Sequence, residues 1–198
     1  MVLPDEEYDP KRALRAAKRR RPDPQTAPFA FEIRDATVKD MPDARAIYNH
    51  YVENSIVTFD EKPLTHAQMR AKFAKVEKAG YPFLVAVSPA GEMLGYAYVA
   101  AYRDRSAYRF TVEDAIYLGP AATGKGIGKA LLAELIERSR AAGLREIVAV
   151  IADKGAEASI ALHASLGFKE IGRMGRVGFK FGRWIGTVFM QKSLKPGR

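Results

Sequence analysis

From residue 29 to residue 34 the chain alternates apolar and polar side chains, the period of a strand with one buried face. The spacing then becomes helical. Thr37 or Asp40 is placed to cap a helix running from Met41 to about Val52, with Ala44, Ile47, Tyr48 and Tyr51 along one side. Thr65 and Gln68 have capping-box spacing and open a second helix that Gly80 should end. Two apolar runs, 83–87 and 93–101, flank Ser88-Pro89-Ala90-Gly91 and read as a hairpin. A further strand is expected over 112–118. After a glycine-punctuated loop, Ile127, Leu131, Leu135 and Ala142 keep helical register, and Gly143 is placed to stop that helix. Residues 147–151 are wholly apolar, as a strand buried on both faces requires. A compact helix is expected over 158–166, ended by Gly167, and two closing strands follow between 168 and 193. The order is strand, two helices, a meander, helix, strand, helix, two strands. It predicts a single α/β domain, a mixed sheet flanked by helices, rather than the regular alternation of a doubly wound fold.

Composition narrows the chemistry. The 198 residues are 47% hydrophobic and 28% charged, the balance of a globular protein that closes a core. Without cysteine there are no disulfides, Cys-ligated zinc, iron–sulfur clusters or thiol nucleophiles. No two of the histidines, His50, His66 and His163, have metal-ligand spacing, so no metal is expected. No apolar run approaches the ~18 residues of a membrane span, and none is expected. The formal charge of +9 favours an anionic partner, and charge alone suits a phosphate-bearing cofactor and nucleic acid equally. Residues 1–28 hold an excess of two positive charges and Pro4, Pro10, Pro22, Pro24 and Pro28. They read as a flexible basic tail, with at most a short helix around Pro10 to Arg20, outside a domain of residues 29–198. The run KRALRAAKRRR is first a solvated arm and only second a weak contact for RNA or an anionic surface. MVLPDEEYDP lacks the apolar stretch of a secretory signal, so a cytoplasmic protein is expected.

The most informative stretch runs from Ile116 to Lys129, IYLGPAATGKGIGK, where a strand meets a glycine-rich loop that opens a long helix. Glycines let several N–H groups converge on one point, the helix N-terminus adds partial positive charge, and Lys125 and Lys129 add full charges. This pattern builds a phosphate or pyrophosphate site. Residues 119–125 match the first seven positions of a Walker A loop, but the eighth, which should be Ser or Thr to hold magnesium, is Gly126. No convincing apolar strand ending in Asp follows as a metal-side partner. The pyrophosphate of an acyl-coenzyme A needs amide donors and no metal, and it fits better.

That loop, with Ala158-Ser159-Ile160-Ala161-Leu162-His163-Ala164-Ser165-Leu166-Gly167-Phe168 after it, resembles the acetyl-CoA core of the GNAT-type N-acetyltransferases. Asn49-His50-Tyr51-Val52, the stretch from Ser55 to Phe59, Tyr102-Arg103-Asp104-Arg105-Ser106-Ala107-Tyr108, Glu113 and Gly178-Phe179-Lys180-Phe181-Gly182-Arg183-Trp184 are similar to the phosphinothricin and methionine sulfoximine branch. The resemblance covers roughly residues 31–194. It implies acetyl-CoA as donor, no metal, a small glutamate-like amino acid as acceptor and a homodimer. It puts Tyr117, Leu118, Thr123, Gly124, Lys125, Gly126, Ile127, Gly128 and Lys129 at the cofactor. It puts Phe59, Arg103, Arg105, Tyr108, Val177 and Lys180 at the amino-acid pocket. Glu113 falls at the general base, the Leu118 amide at the oxyanion donor, and His163 where many members carry a tyrosine that protonates the departing thiolate. Thr123 stands where the family usually has Gln or Arg, and Ala156 where an Asn is usual. Both changes remove side-chain contacts and leave the backbone amides in place.

The residues carry readings of their own. Glu113 lies in a mostly apolar strand, where desolvation would raise its pKa toward that of a useful base. An ion pair with a nearby arginine is an equal reading on position alone. Asp114 must point to the opposite face. Arg103 and Arg105 share a face and suit bidentate recognition of a carboxylate or phosphinate, against a solvated edge as the plainer role. His163 alone reads as a half-buried helix histidine, Phe179 and Trp184 as packing residues, and Asp153 takes no role. Two further readings remain for the whole chain: a peptide N-acetyltransferase, and an acyl-CoA or nucleic-acid binding module. A magnesium-dependent nucleotidase is remote.

Overall fold

A computed structural model describes residues 29–194; the tail of 1–28 lies outside the described residues. The elements, in chain order, are β1 (Glu32–Asp35), α1 (Met41–Asn54), α2 (His66–Lys78), β2 (Phe83–Val87), β3 (Met93–Ala101), β4 (Thr111–Leu118), α3 (Ile127–Ala141), β5 (Glu146–Ala152), α4 (Glu157–Ser165), β6 (Lys169–Lys180) and β7 (Arg183–Ser193). The periodicities place every one of them. The first strand begins later than the alternation implies.

Asp40 is the N-cap residue of α1 but its side chain makes no bond to the helix amides; with Thr37 it closes the 3-10 turn Val38–Asp40 that precedes the helix. Asp40 accepts hydrogen bonds from the Thr37 amide and hydroxyl at 2.7 and 2.9 Å and is held bidentately by Arg34 at 2.7 and 2.9 Å. That pairing holds the Asp40 carboxyl down at a pKa of about 2. At α2 the Thr65 hydroxyl accepts the Gln68 amide while Gln68 Oε1 accepts the Thr65 amide, the reciprocal bond pattern its spacing implies.

The seven strands form one mixed sheet in the order β1-β2-β3-β4-β5-β7-β6. Only β4 and β5 run parallel, and their ladder is short: Thr111↔Glu146, Val112↔Ile147 and Glu113↔Val148. Beyond Glu113, β4 continues to Leu118 with β3 as its partner, and β5 continues to Ala152 with β7 as its partner. The two strands therefore splay, and the sheet opens into a gap after Glu113. Alternation along β4 sends Val112 into a core beneath α3 with Leu131, Leu135 and Ile147. It sends Ala115 and Tyr117 into a second core beneath α1 and α2 with Ile47, Tyr48, Phe73, Val85 and Tyr96.

Candidate active site

The gap is lined by backbone groups whose direction follows from register. The Gly119 amide bonds the Leu94 carbonyl at 2.8 Å, which makes Gly95↔Leu118 a pair without mutual bonds and turns the Leu118 N–H away from β3, into the gap. The Tyr51 hydroxyl donates to the Leu118 carbonyl at 2.7 Å and holds that end of β4. Gly95 permits this approach, since a Cβ there would stand 2.7 Å from the Tyr117 carbonyl. Tyr117, grouped with the cofactor residues on the resemblance, turns its side chain toward α1, and its neighbouring register pairs it with Tyr96 in the β3 ladder. The structure thus directs Leu118, not Tyr117, to the gap.

From the gap the chain enters the loop. A short 3-10 turn, Pro120–Ala122, is followed by Gly124 and Gly126 at φ +74° and +79°, and Gly126 is the N-cap of α3. A left-handed residue directly before a helix swings the chain so that the first-turn amides of Ile127, Gly128 and Lys129 face one point, with no intrahelical partners of their own. Among the described residues nothing stands within 4 Å of where a Cβ on Gly124 or Gly126 would be. Ile127 contributes only its backbone, its side chain being fully buried, and the Thr123 hydroxyl donates to the Pro120 carbonyl. The loop is therefore a set of amides at a helix terminus, which suits the pyrophosphate of acetyl-CoA without a metal. No cluster among the described residues has the composition of a metal site.

Glu113 sits half-buried at the branch point on the α1 side. Burial raises its pKa; the Arg103 charge pulls it partly back, and Asp114 raises it further. Arg103 is pre-positioned: its guanidinium stacks 4.1 Å from the Tyr102 ring and donates to the Tyr102 carbonyl at 2.7 Å. Arg103, Asp104, Arg105 and Tyr108 line a groove of about 370 Å³, and Tyr108 meets Tyr102 edge-on. The loop side chains of this group come together as their spacing implies, with one acid among them.

His163 stands elsewhere than a proton donor to the gap would. It is buried, its ring edge-on to Phe168, with Nδ1 2.7 Å from the Ser159 carbonyl and Nε2 2.9 Å from Asp114 Oδ2. Both ring nitrogens are occupied inside the protein. The expectation of an imidazole facing the leaving sulfur is corrected by this geometry.

The closing segment also differs from expectation. Lys180 is buried and donates to the Ser55 and Thr58 carbonyls at 2.8 and 3.0 Å and to the Thr58 hydroxyl at 3.3 Å; it offers no N–H to a ligand. Burial lowers its pKa, against the charges of Asp60 and Glu61. Phe59 rests on Gly178, and Val177 stands exposed in an irregular stretch of β6 between Met174 and Gly178. Phe179 and Trp184 meet at the surface rather than in a core, ring centroids 5.3 Å apart, with the Arg176 guanidinium over the Trp184 ring. Three features escaped sequence reasoning. They are the Tyr51 tie to Leu118, the Tyr48 hydroxyl donating to Asp60, and Asp153 accepting the Gly186 amide. The Tyr48–Tyr51 spacing on one helix side was a signal for the first two; nothing local marked the third.

Residues 33–189 match a family model described as an acetyltransferase (GNAT) domain. The chain is 46% identical over 173 residues to the phosphinothricin N-acetyltransferase of Alcaligenes faecalis, covering 87% of each chain. It is 47% identical over 170 residues to an L-methionine sulfoximine/L-methionine sulfone acetyltransferase of Pseudomonas aeruginosa, covering 86% of this chain and 98% of the relative. A similar solved structure is that of a GNAT superfamily phosphinothricin acetyltransferase from Sinorhizobium meliloti in complex with AcCoA. Its TM-score is 0.79 at 48% identity, covering 82% of this chain and 88% of that one.

Proposed function

The chain belongs to the GNAT acetyltransferase family, and from that premise we propose that it moves acetyl from acetyl-CoA to the α-amino group of a small, glutamate-like amino acid, such as phosphinothricin or methionine sulfoximine. The observation that carries the reading is the position of Glu113, a half-buried carboxylate of raised pKa where β4 and β5 part, with the Leu118 amide on the same strand aimed into the gap.

Acetyl-CoA enters along the loop, with its pyrophosphate on the amides of residues 126–129 and its thioester in the gap. The acceptor ammonium loses a proton to Glu113, directly or through one water, and the free amine attacks the thioester carbonyl. The Leu118 N–H donates to the carbonyl oxygen as negative charge develops there. As the C–S bond breaks the sulfur leaves as a thiolate, since a thiol of pKa about 8.5 is acid enough to depart unprotonated. The second proton, shed by the new amide nitrogen, passes to that thiolate or to water, which agrees with His163 being engaged elsewhere. Arg103 and Arg105 take the acidic groups of the acceptor, with Tyr108 and Phe59 as walls. A peptide acceptor of basic sequence would want an acidic groove, and this groove is lined by two arginines against Asp104.

The exposed Ile171, Met174, Val177, Phe179, Phe181 and Trp184 of the β6–β7 hairpin support a homodimer, since six large apolar side chains on one hairpin are more than a monomer usually leaves to water. No helix among the described residues is long and apolar enough to cross a membrane, and the acetyl-CoA requirement favours the cytoplasm. The decisive experiment is free-thiol release from acetyl-CoA with a panel of amino acids. Release with phosphinothricin, methionine sulfoximine or a close analogue, and none with basic amino acids, supports the proposal. Release only with a basic peptide overturns it.

A further inference from the structure

We propose that residues 55–60 form a fixed roof over the amino-acid pocket, and that Gly178 and Lys180 of β6 are positioning residues that seat its Phe59 ring and so set the size of acceptor admitted. The inference rests on the acetyltransferase reading above and deepens it.

Phe59 is held on both sides. One residue before it, Thr58 gives its carbonyl and hydroxyl to the buried Lys180 ammonium, which also takes the Ser55 carbonyl. One residue after it, Asp60 accepts the Tyr48 hydroxyl. The Tyr48 ring in turn meets Tyr117 of β4 edge-on, centroids 5.2 Å apart. Earlier in the segment Ile56 stands over Gly155, in the turn between β5 and α4. The segment therefore reaches from α1 to the β5 side of the gap and is anchored at both ends.

The choice of residues on β6 fits this role. An ammonium carries three donors, and Lys180 places all three on one loop while making no ion pair among the described residues. A buried charge is costly unless its hydrogen bonds are made, so a lysine here is a tie to that backbone rather than a filler. Gly178 is the complementary notch. A Cβ at this position would lie 2.5 and 2.6 Å from Phe59 Cε1 and Cδ1, so the ring sits where any other residue would put its side chain. Phe59 is 42% exposed, so a displaced ring can swing outward without opening the core.

The test is kinetic and uses the full chain. Gly178→Ala should lower kcat/KM for the amino acid by about 10–100-fold, the effect of moving a positioning group by roughly 1 Å, while KM for acetyl-CoA stays unchanged. In a Phe59→Ala background the same substitution should add nothing, because the ring it displaces is gone. A folded Gly178→Ala enzyme with wild-type amino-acid kinetics, or equal losses in both backgrounds, overturns the proposal. Amide exchange supplies a readout independent of turnover: Lys180→Met should raise exchange across residues 55–60 above the change elsewhere. Unaltered exchange there overturns the tie. Should Phe59→Ala leave amino-acid kinetics untouched in an active enzyme, the pocket assignment fails while the exchange result still decides the roof.

Discussion

His163 Nε2 lies 2.9 Å from Asp114 Oδ2 with both side chains buried, directly behind Glu113 on the other face of β4. A carbonyl oxygen can only accept, and so can a carboxylate, yet His163 meets one with each ring nitrogen. With hydrogen on both nitrogens the imidazolium form satisfies both acceptors at once, which a neutral ring cannot do. Burial alone would lower the imidazole pKa; the Asp114 hydrogen bond and charge and the Ser159 carbonyl together raise it above the ordinary value. Among the described residues Asp114 Oδ1 has no hydrogen-bond partner, so the His163 contact is what satisfies this buried carboxyl group.

A raised folded-state pKa makes this pair's stabilisation complete below the ordinary histidine value of about 6.5 and removes it as pH climbs through the folded value. Asp114→Asn should therefore cost about 3–5 kcal/mol in mild acid, the usual penalty for stranding one member of a buried pair, and much less in alkaline solution. Thermal unfolding of wild type and variant from pH 5 to pH 9 checks it. A penalty independent of pH would mean that His163 is neutral.

Acetyl-CoA binding should depend on Gly126 through the space above the α3 amides. Gly126 and Gly143 share nearly the same φ, +79° and +80°, and among the described residues neither has an atom within 4 Å of where a Cβ would be. Valine at either site meets the same backbone strain, but only position 126 faces the cofactor loop. Gly126→Val should raise KM for acetyl-CoA at least tenfold more than Gly143→Val does (about 1.4 kcal/mol of binding). Equal effects would reduce the loop to a strain-sensitive turn.

The arginines separate by pH. Arg103 holds the Glu113 pKa down against burial, so Arg103→Ala should move the acid limb of kcat/KM to higher pH as well as weaken amino-acid binding. Arg105 has no such coupling to Glu113, and Arg105→Ala should weaken binding with the limb in place. A shift of the acid limb with Arg105→Ala but not with Arg103→Ala would reverse the roles.

Much of this architecture is legible in the chain because it is local. Glycines before an Ile-Leu-Leu period announce a helix terminus, and Thr65 with Gln68 announces a cap. What is not legible is decided by segments far apart. Lys180, which the resemblance puts at the amino-acid pocket, is instead buried because carbonyls from residues 55 and 58 arrive to meet it. His163 alone reads as a half-buried helix histidine and the resemblance puts it at the leaving thiolate; its partner Asp114 lies 49 residues earlier and is not visible locally. The parting of β4 from β5 after Glu113↔Val148 leaves no local signal, since beyond it both strands are apolar apart from Asp114. Phe179 and Trp184 follow a core-like pattern yet face outward, as a hairpin at the sheet edge with its own solvent-facing aromatics permits.

The mechanism turns on Glu113. Glu113→Gln preserves shape and polarity and removes the capacity to take a proton. If the carboxylate deprotonates the bound ammonium, turnover near neutral pH should fall by about 10²–10⁴-fold, and raising the pH should restore part of it as more acceptor arrives as free amine. In the wild type the base works only when ionised. Because burial raises its pKa, activity should decline with falling pH earlier than an ordinary carboxylate would allow. A structural ion pair with Arg103 would show the reverse pattern: a lower melting temperature and a loss of turnover that alkali does not recover. The pH–rate profile and melting curve of this one variant distinguish the two. A stable Glu113→Gln protein with wild-type turnover at pH 7 would remove Glu113 from the chemistry and leave the proton to water or to the acceptor itself.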